Sequence, residues 1–500
     1  MNRFHSLLSV CLLMAATSSE AKVRSLVPSR PSNVPDYFST WNIQGYCASY
    51  DPHITIKVMT EQSMFGDGPL EGWTRFFPSF REDLLFLMDD SWDIPCGTHQ
   101  GNDQFMGECR LNADRFPECK GTSVERLTKL VEKTRKAGWK GLAGWVVAHE
   151  SPAARDLDNR EAYWTARLRE SEQAGMHYWK VDYGREQNNI EWRKMLTLLG
   201  REHAPHLVLE HAYTYPIIED CDVFRTYDVE VVTSVPVTLQ RVVRLLKHQT
   251  KAGNMGLINC EDEPLISAGL GCVIGVMRHP INKPLPNGLS DHVFPTAGRN
   301  LKARLDEVDR ALKWHRLAEP FAVNNDAHID SHMLTDHWLL AERETWVSDH
   351  HPGDTLTESA PARISRCMPL PEVECAGEAP FVLATRYPNG AVAVATLERL
   401  FYRSWSTPLA KVSIVAEDIK APIGIFGDYQ ELTISYPIRL KRRAHILAQD
   451  LRGKHPIDIT SRVQIISNKL IIPGNLIREI GTMEGTPGDI SAPGLVVCIR

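Results

Sequence analysis

The stretch His177-Tyr178-Trp179-Lys180-Val181-Asp182-Tyr183-Gly184 ends an apolar run on charged side chains that the run itself does not need. On an extended strand successive side chains alternate between faces, so Lys180 and Asp182 share one face and Trp179 and Val181 the other. An ammonium group beside a carboxylate favours the ionised carboxylate. A carboxylate nucleophile must be ionised to attack. Asp182 is therefore the candidate nucleophile, with a structural ion pair as the competing reading.

Four other stretches have the same character. Asp89-Asp90-Ser91-Trp92 follows the run Leu84 to Met88. Adjacent carboxylates are costly at a core edge unless they are hydrogen-bonded, and such a pair suits neighbouring sugar hydroxyls. Capping a helix is the alternative role for one of them. Trp41-Asn42 follows Phe38-Ser39-Thr40. Glu210 follows Leu207-Val208-Leu209 and precedes His211. Val223-Phe224-Arg225-Thr226-Tyr227-Asp228-Val229-Glu230 adds an arginine and further carboxylates. Glycoside hydrolysis takes two carboxyl groups flanking the bond, about 5 to 5.5 Å apart in a retaining enzyme. Asp182 as nucleophile and Asp228 as acid/base form that pair. Glu210, Asp222 and Glu230 compete with Asp228 on spacing alone.

These stretches need a scaffold that brings strand ends together. From residue 37 to residue 325, short apolar runs alternate with helical patterns. Leu84–Met88, Gly141–Ala148, 176–182, Leu207–Glu210, Val223–Asp228 and Gly256–Asn259 read as strands. Helices are expected from Ser123 as N-cap to a stop at Gly138, over 161–174, and over Thr238–Ala252. The alternation predicts an α/β chain with a parallel sheet, and its size suits a (β/α)8 barrel. No GxGxxG follows a first strand, which disfavours a doubly wound open sheet. Residues 326–500 carry short β-rich runs, with a hairpin signal at Tyr387-Pro388-Asn389-Gly390, and are expected to form a C-terminal antiparallel β-sandwich.

Composition bounds the partners. The net charge is -6 and no basic run occurs, so nothing points to nucleic acid. The 12 tryptophans suit a chain that packs indoles on sugar rings, though most are expected in the core. Residues 1–21 read as a secretory signal: Arg3, the apolar run Leu7 to Ala16, then small residues ending near Ala21. That run is too short to span a bilayer. Residues 22–36 are a proline-bearing lead-in. Export permits disulfides, and Cys109/Cys119 and Cys367/Cys375 are near neighbours in sequence, but spacing does not fix connectivity. No CxxC occurs, so no zinc site is expected.

Taken in order, these motifs resemble the family of α-galactosidases and α-N-acetylgalactosaminidases, in clan D of the glycoside hydrolases and family 27-like. The residues that carry the likeness are Thr40-Trp41-Asn42, Asp89-Asp90-Ser91-Trp92-Asp93-Ile94-Pro95 and Asp114-Arg115-Phe116-Pro117. Gly138-Trp139-Lys140-Gly141-Leu142, Tyr178 to Asp182 and Phe224 to Val229 complete it. The resemblance covers the barrel. It implies a secreted retaining exo-α-glycosidase, working by double displacement on a terminal α-linked galactose or related sugar, without metal or organic cofactor. It implies that Trp41 packs on the sugar, that Asp89, Asp90, Lys180 and Arg225 hold its hydroxyls, and that Glu210 sits at a recognition position. The chain departs from the family at Val147, where a tyrosine is usual, and at Arg225 and Asp228, three apart instead of four. Tyr183-Gly184 also lacks the cysteine usual there. β-L-Arabinopyranose, with the same ring hydroxyl pattern, is then an alternative glycon. His149, Glu150 and Cys260-Glu261-Asp262-Glu263 become candidates for reading it, with solvated surface as the other role for the first two. A carbohydrate-binding protein on a decayed barrel, and a glycosidase of another barrel family, are the remaining alternatives.

Overall fold

The computed structural model describes residues 24–96, 107–151, 159–212, 217–225, 234–248, 255–259, 264–289, 300–339, 351, 353–441 and 443–500. The expected signal segment, Asp228, Glu230 and the Cys260–Glu263 stretch lie outside them.

Eight parallel strands close into a barrel in chain order. They are β1 (Tyr37–Ser39), β2 (Leu85–Met88), β3 (Gly141–Val146), β4 (Tyr178–Val181), β5 (Val208–His211), β6 (Val223–Arg225), β7 (Met255–Asn259) and β8 (Val273–Val276). Closure comes from β8 pairing with β1, Gly275 opposite Tyr37. Up to residue 315 the α-helices are α1 (Trp41–Cys47), the short α2 (Pro52–Thr55) and α3 (Glu61–Phe65), α4 (Ser123–Lys136), α5 (Arg160–Ala174), α6 (Ile190–His203), α7 (Ser234–Leu246), α8 (Pro264–Leu270) and α9 (Asp306–His315). The helix expected over Thr238–Ala252 thus starts earlier and ends earlier.

Strand alternation sorts the side chains into two environments. Tyr37, Leu85, Leu87, Ala143, Trp145, Tyr178, Val223 and Val273 fill the barrel interior as one buried cluster. Phe38, Phe86, Leu142, Trp179, Leu209, Phe224 and Ile274 alternate with them and pack outward in the cluster that includes the helices. Trp179, for example, meets Trp164 of α5 edge to face at 6.3 Å. Every tryptophan among the described residues is buried except Trp41 and Trp405.

Local signals explain the helix starts. The N-cap of α4 is Thr122, not the expected Ser123. Thr122 Oγ1 accepts from the Glu125 N–H at 3.3 Å, and Glu125 Oε2 accepts from the Thr122 N–H at 2.8 Å. This reciprocal box needs its acid three residues after the cap, which selects Thr122 over its neighbour.

Residues from Ala327 onward form three further sheets, of eight, five and four strands. The eight- and five-stranded sheets sandwich a core of Val382, Val394, Val412, Ile425, Leu432, Ile446, Leu470 and Val497. Most pairings are antiparallel, as between Phe381–Arg386 and Val392–Leu397. Parallel pairings also occur, as between Val392–Leu397 and Ile423–Phe426 and between Lys411–Val415 and Glu431–Ser435, so the sandwich is mixed. Hydrophobic alternation reads which face a strand buries, not the direction of its neighbour.

The other face of the eight-stranded sheet lies on α8 and α9. Gly269 is required there, because a Cβ would stand 2.9 Å from Leu383 Cβ. The α9 helix buries Asp306, Glu307, Asp309, Arg310, Lys313 and His315. Each meets a partner: Arg310 holds Asp450 of the sandwich by two bonds of 3.1 Å. Breaking a buried pair from one side strands the other charge. Arg310→Ala should therefore lower stability by about 3–5 kcal/mol, read from denaturant unfolding. A loss under about 1 kcal/mol would mean that Asp450 finds other compensation.

Among the described residues all cysteines are free thiols, so neither Cys109/Cys119 nor Cys367/Cys375 is paired. Their sulfurs turn to other acceptors: Cys119 Sγ lies 3.7 Å from Glu61 Oε1, Cys367 Sγ 2.8 Å from Asp326 Oδ2 and Cys375 Sγ 3.1 Å from the Glu378 carbonyl. Nearness in sequence does not set the Cβ geometry that a disulfide requires.

Candidate active site

The C-terminal rim of the barrel is polar where the layers beneath are apolar. Going up the inward face, Tyr37 is followed by Ser39, Leu87 by Asp89, Tyr178 by Lys180 and Asp182, Val208 by Glu210, and Val223 by Arg225. Register places Trp145 beside Lys180 and Lys180 beside Glu210. Alternation alone therefore gathers Lys180, Asp182, Asp89, Glu210 and Arg225 on one surface, at the end of the fold where characterised (β/α)8 enzymes carry their active sites.

Asp182 is the hub. Its Oδ2 accepts the Trp145 indole N–H at 3.1 Å, and lies 3.7 Å from Lys180 Nζ and 3.8 Å from Arg225 Nη2. Its side chain is 24% exposed, against 4% for Lys180 and 5% for Arg225, so the carboxylate is the group that faces the opening. Burial works to raise its pKa. Arg225, Lys180 and the Trp145 N–H outweigh that and hold the carboxyl below its ordinary value. Below that depressed pKa the ion pairs are lost; above it Asp182 is an anion.

The backbone under Asp182 is clamped from outside. Arg193 of α6 donates to the Asp182 carbonyl at 2.8 Å and to the Val181 carbonyl at 3.1 Å. It also contacts His211 Nδ1 at 2.9 Å, so His211 points away from the barrel interior. Gly184 closes the turn at φ 149°, where a Cβ would stand 2.7 Å from the Ala148 carbonyl oxygen.

Each cation is anchored on its far side. Lys180 Nζ donates to Asp89 Oδ2 at 2.8 Å, and Ser39 Oγ donates to the same oxygen at 2.7 Å. Burial opposes the charge on Lys180, yet Asp89 first, then Asp182 and Glu210, raise its pKa above the ordinary value. Arg225 Nε donates to Glu210 Oε1 at 3.3 Å, and Tyr178 OH donates to Glu210 Oε2 at 2.8 Å. Glu210 is fully buried, and burial raises its pKa despite Arg225, Lys180 and Tyr178.

Asp90 is different. It is buried, its Oδ1 accepts from Ser91 Oγ at 3.1 Å, and among the described residues its Oδ2 has no hydrogen-bond partner. Gln44 of α1 fixes the turn by donating to the Asp90 carbonyl at 3.1 Å, and Ser91 adopts φ 85°. Burial, then the Asp89 charge, pushes the Asp90 carboxyl up to about 7. Such a group switches from hydroxyl donor to anion near neutrality. Because the folded pKa lies above the ordinary 3.8, the folded state binds the extra proton, and stability falls as pH rises from there to about 7. Asp90→Asn has no proton to lose. Its melting temperature should drop less than that of the native chain between about pH 5 and 8. Equal drops would contradict the assignment. Asp93, also raised to about 7 by burial, is present in both proteins and cancels.

Trp41 opens α1 directly after β1, at the same end of the barrel, and is part-exposed. Asp222 turns outward: its Oδ2 accepts from the Leu209 N–H at 3.0 Å and its Oδ1 lies 3.2 Å from Arg201, so it leaves the set of acid/base candidates. Glu150 is neither solvated nor in the pocket. It accepts from the Trp164 and Trp192 indoles at 2.8 and 3.2 Å, behind the barrel wall. His149 is buried and its Nδ1 accepts from the Arg185 N–H at 3.2 Å. Trp145, Ser39, Tyr178 and Arg193 were not singled out in the sequence. Counting in twos along each strand from Lys180 and Asp89 finds Tyr178 and Leu87, and the same parity on β3 selects Trp145. Among the described residues no cluster of His, Cys, Asp and Glu has the arrangement of a metal site, and no helix is long and apolar enough to cross a membrane.

No protein-family model matches the chain, and no curated protein matches it. Similar solved structures include a β-L-arabinopyranosidase of glycoside hydrolase family 27 from Geobacillus stearothermophilus. It is 10% identical, with 95% of this chain and 97% of that chain covered and a TM-score of 0.37. A candidate α-galactosidase/melibiase from Bacteroides fragilis is 9% identical over 93% of this chain and 79% of its own, TM-score 0.41. A family 30 endoxylanase from Clostridium papyrosolvens is 6% identical over 94% and 98%, TM-score 0.31. The eightfold barrel rests on its own closed strand order.

Proposed function

We propose that this chain is a secreted retaining exo-α-glycosidase that hydrolyses a terminal α-linked galactose, or a sugar of the same ring hydroxyl pattern such as β-L-arabinopyranose. The single observation that carries the reading is the state of Asp182: an ionised, part-exposed carboxylate at the barrel mouth, flanked by two buried cations and an indole N–H. A buried ion pair built only for stability would leave no oxygen at an opening.

Among the described residues the three contacts fall on Oδ2, which leaves Oδ1 for the anomeric carbon. In the first displacement Oδ1 bonds to that carbon as the glycosidic oxygen leaves with a proton from Asp228. In the second, Asp228 takes a proton from water, and the resulting oxygen displaces Asp182 with net retention. Asp89 and Lys180 accept from and donate to ring hydroxyls, Asp90 offers its unpartnered Oδ2, Arg225 reaches another hydroxyl, and Trp41 packs on the apolar face of the sugar. No cofactor takes part.

The test is a panel of nitrophenyl α- and β-glycosides with the first-formed product anomer followed by NMR. Turnover of the α-galactoside or the β-L-arabinopyranoside with retention is expected. Inversion, or no turnover on any sugar, would overturn the reading.

A further inference from the structure

We infer that Glu210 is a positioning residue that acts on the proposed nucleophile through Arg225, not a group that touches the sugar. The inference rests on the glycosidase reading and alters the recognition role that the family resemblance implies for this glutamate. Three observations carry it. Glu210 is fully buried, while Asp182, one strand away, is 24% exposed. Both of its oxygens are taken: Oε2 by the Tyr178 hydroxyl at 2.8 Å, Oε1 by Arg225 Nε at 3.3 Å. Arg225 in turn presents Nη2 to Asp182 Oδ2 at 3.8 Å.

The layout is paired. Lys180 and Arg225 converge on one oxygen of Asp182, and each is held from behind by a buried carboxylate, Asp89 for the lysine and Glu210 for the arginine. A guanidinium is a planar fork, so a carboxylate on Nε fixes where its Nη groups point. Glu210 thereby sets the direction of Arg225, and Arg225 holds Oδ2 back so that Oδ1 is presented. Tyr178 keeps Glu210 in register from the layer below. Tyr37 packs on that ring at 5.3 Å, which makes the support rigid.

A sugar contact and a positioning role predict different kinetics. Glu210→Gln keeps the shape of the side chain and its bond to Tyr178 but removes the charge that orients Arg225. Its kcat should fall about 30-fold with KM changed less than about 3-fold, and by the same factor on every sugar the native chain accepts. In an Arg225→Ala background the same change should cost almost nothing further, because the group it acts through is gone. Added guanidinium should restore part of the activity of Arg225→Ala only while Glu210 is present to seat it. Tyr178→Phe, which removes one hydrogen bond and no charge, should give a smaller loss with the same signature. The inference is overturned if the losses of Glu210→Gln and Arg225→Ala are additive, or if Glu210→Gln changes the preference between sugars that differ at one hydroxyl. Absence of turnover by the native chain is a separate outcome: it removes the glycosidase reading and this role with it.

Discussion

Asp182→Asn is expected to lower kcat/KM by about 10⁴-fold or more, roughly 5 kcal/mol of transition-state stabilisation. The substituted side chain has the same shape, so the Trp145 N–H keeps an acceptor. Lys180 and Arg225 keep Asp89 and Glu210 as counter-charges. The fold should therefore survive, with a melting temperature close to that of the native chain, while covalent capture is lost. Asp182→Gly makes the cause visible. Azide in solution can enter the vacated space and attack the same carbon from the same side. The product is then a glycosyl azide of inverted configuration, and turnover on a substrate with a good leaving group returns. Loss of activity without azide rescue would assign Asp182 a structural role only.

The second large effect belongs to Asp228. Its removal in Asp228→Asn should cost about 10²–10⁴-fold on substrates with poor leaving groups, where protonation of the departing oxygen matters most. On a dinitrophenyl glycoside the first displacement should be nearly unaffected, and the second, which needs a base for water, becomes slow. A burst of phenolate is the expected signature. Glu210→Gln should show no such dependence on the leaving group, because Glu210 acts through Arg225 in every step. If the dependence appears at Glu210 and not at Asp228, the acid/base assignment moves to Glu210.

How far the sequence alone reaches can be judged residue by residue. The barrel is legible because most of its strands are apolar runs set among helical patterns, and β4 shows its faces through one lysine and one aspartate two residues apart; β8 (Val273–Val276) is not among the strands the sequence reading offers. Asp89 and Asp90 are legible because two adjacent carboxylates at a strand end have few inexpensive explanations. What is not legible is whatever depends on elements distant in sequence. Trp145 looks like one more core indole until β3 pairs with β4 and its N–H meets Asp182. Arg193 is an ordinary helix arginine until α6 packs on the barrel and brings it under the Asp182 carbonyl. Glu150 follows a strand as the site residues do, and only the packing of Trp164 and Trp192 shows that it faces away from the opening. The cysteines mislead for the same reason, since sequence spacing carries no Cβ distance. The parallel pairs in the sandwich are not legible because a period of two fixes the face each side chain takes and says nothing of the neighbouring strand's direction.

The different roles of two neighbouring carboxylates follow from their surroundings. Asp89 has Lys180 and Ser39 on one oxygen, and Asp90, next in sequence, is pushed up to about 7 by burial and by Asp89 itself. With Asp90 raised and Asp182 lowered, one rim can hold a proton donor and an anion at the same pH.

The most direct test is to trap the intermediate. A fluorinated glycoside with a good leaving group forms the glycosyl-enzyme faster than water releases it, and peptide mass spectrometry then locates the attached sugar. A mass increase of one fluoroglycosyl unit on the peptide containing Asp182, absent in Asp182→Asn, is the predicted result. A label on Asp89, Asp90 or Glu210, or turnover with no label on any carboxylate, would contradict it.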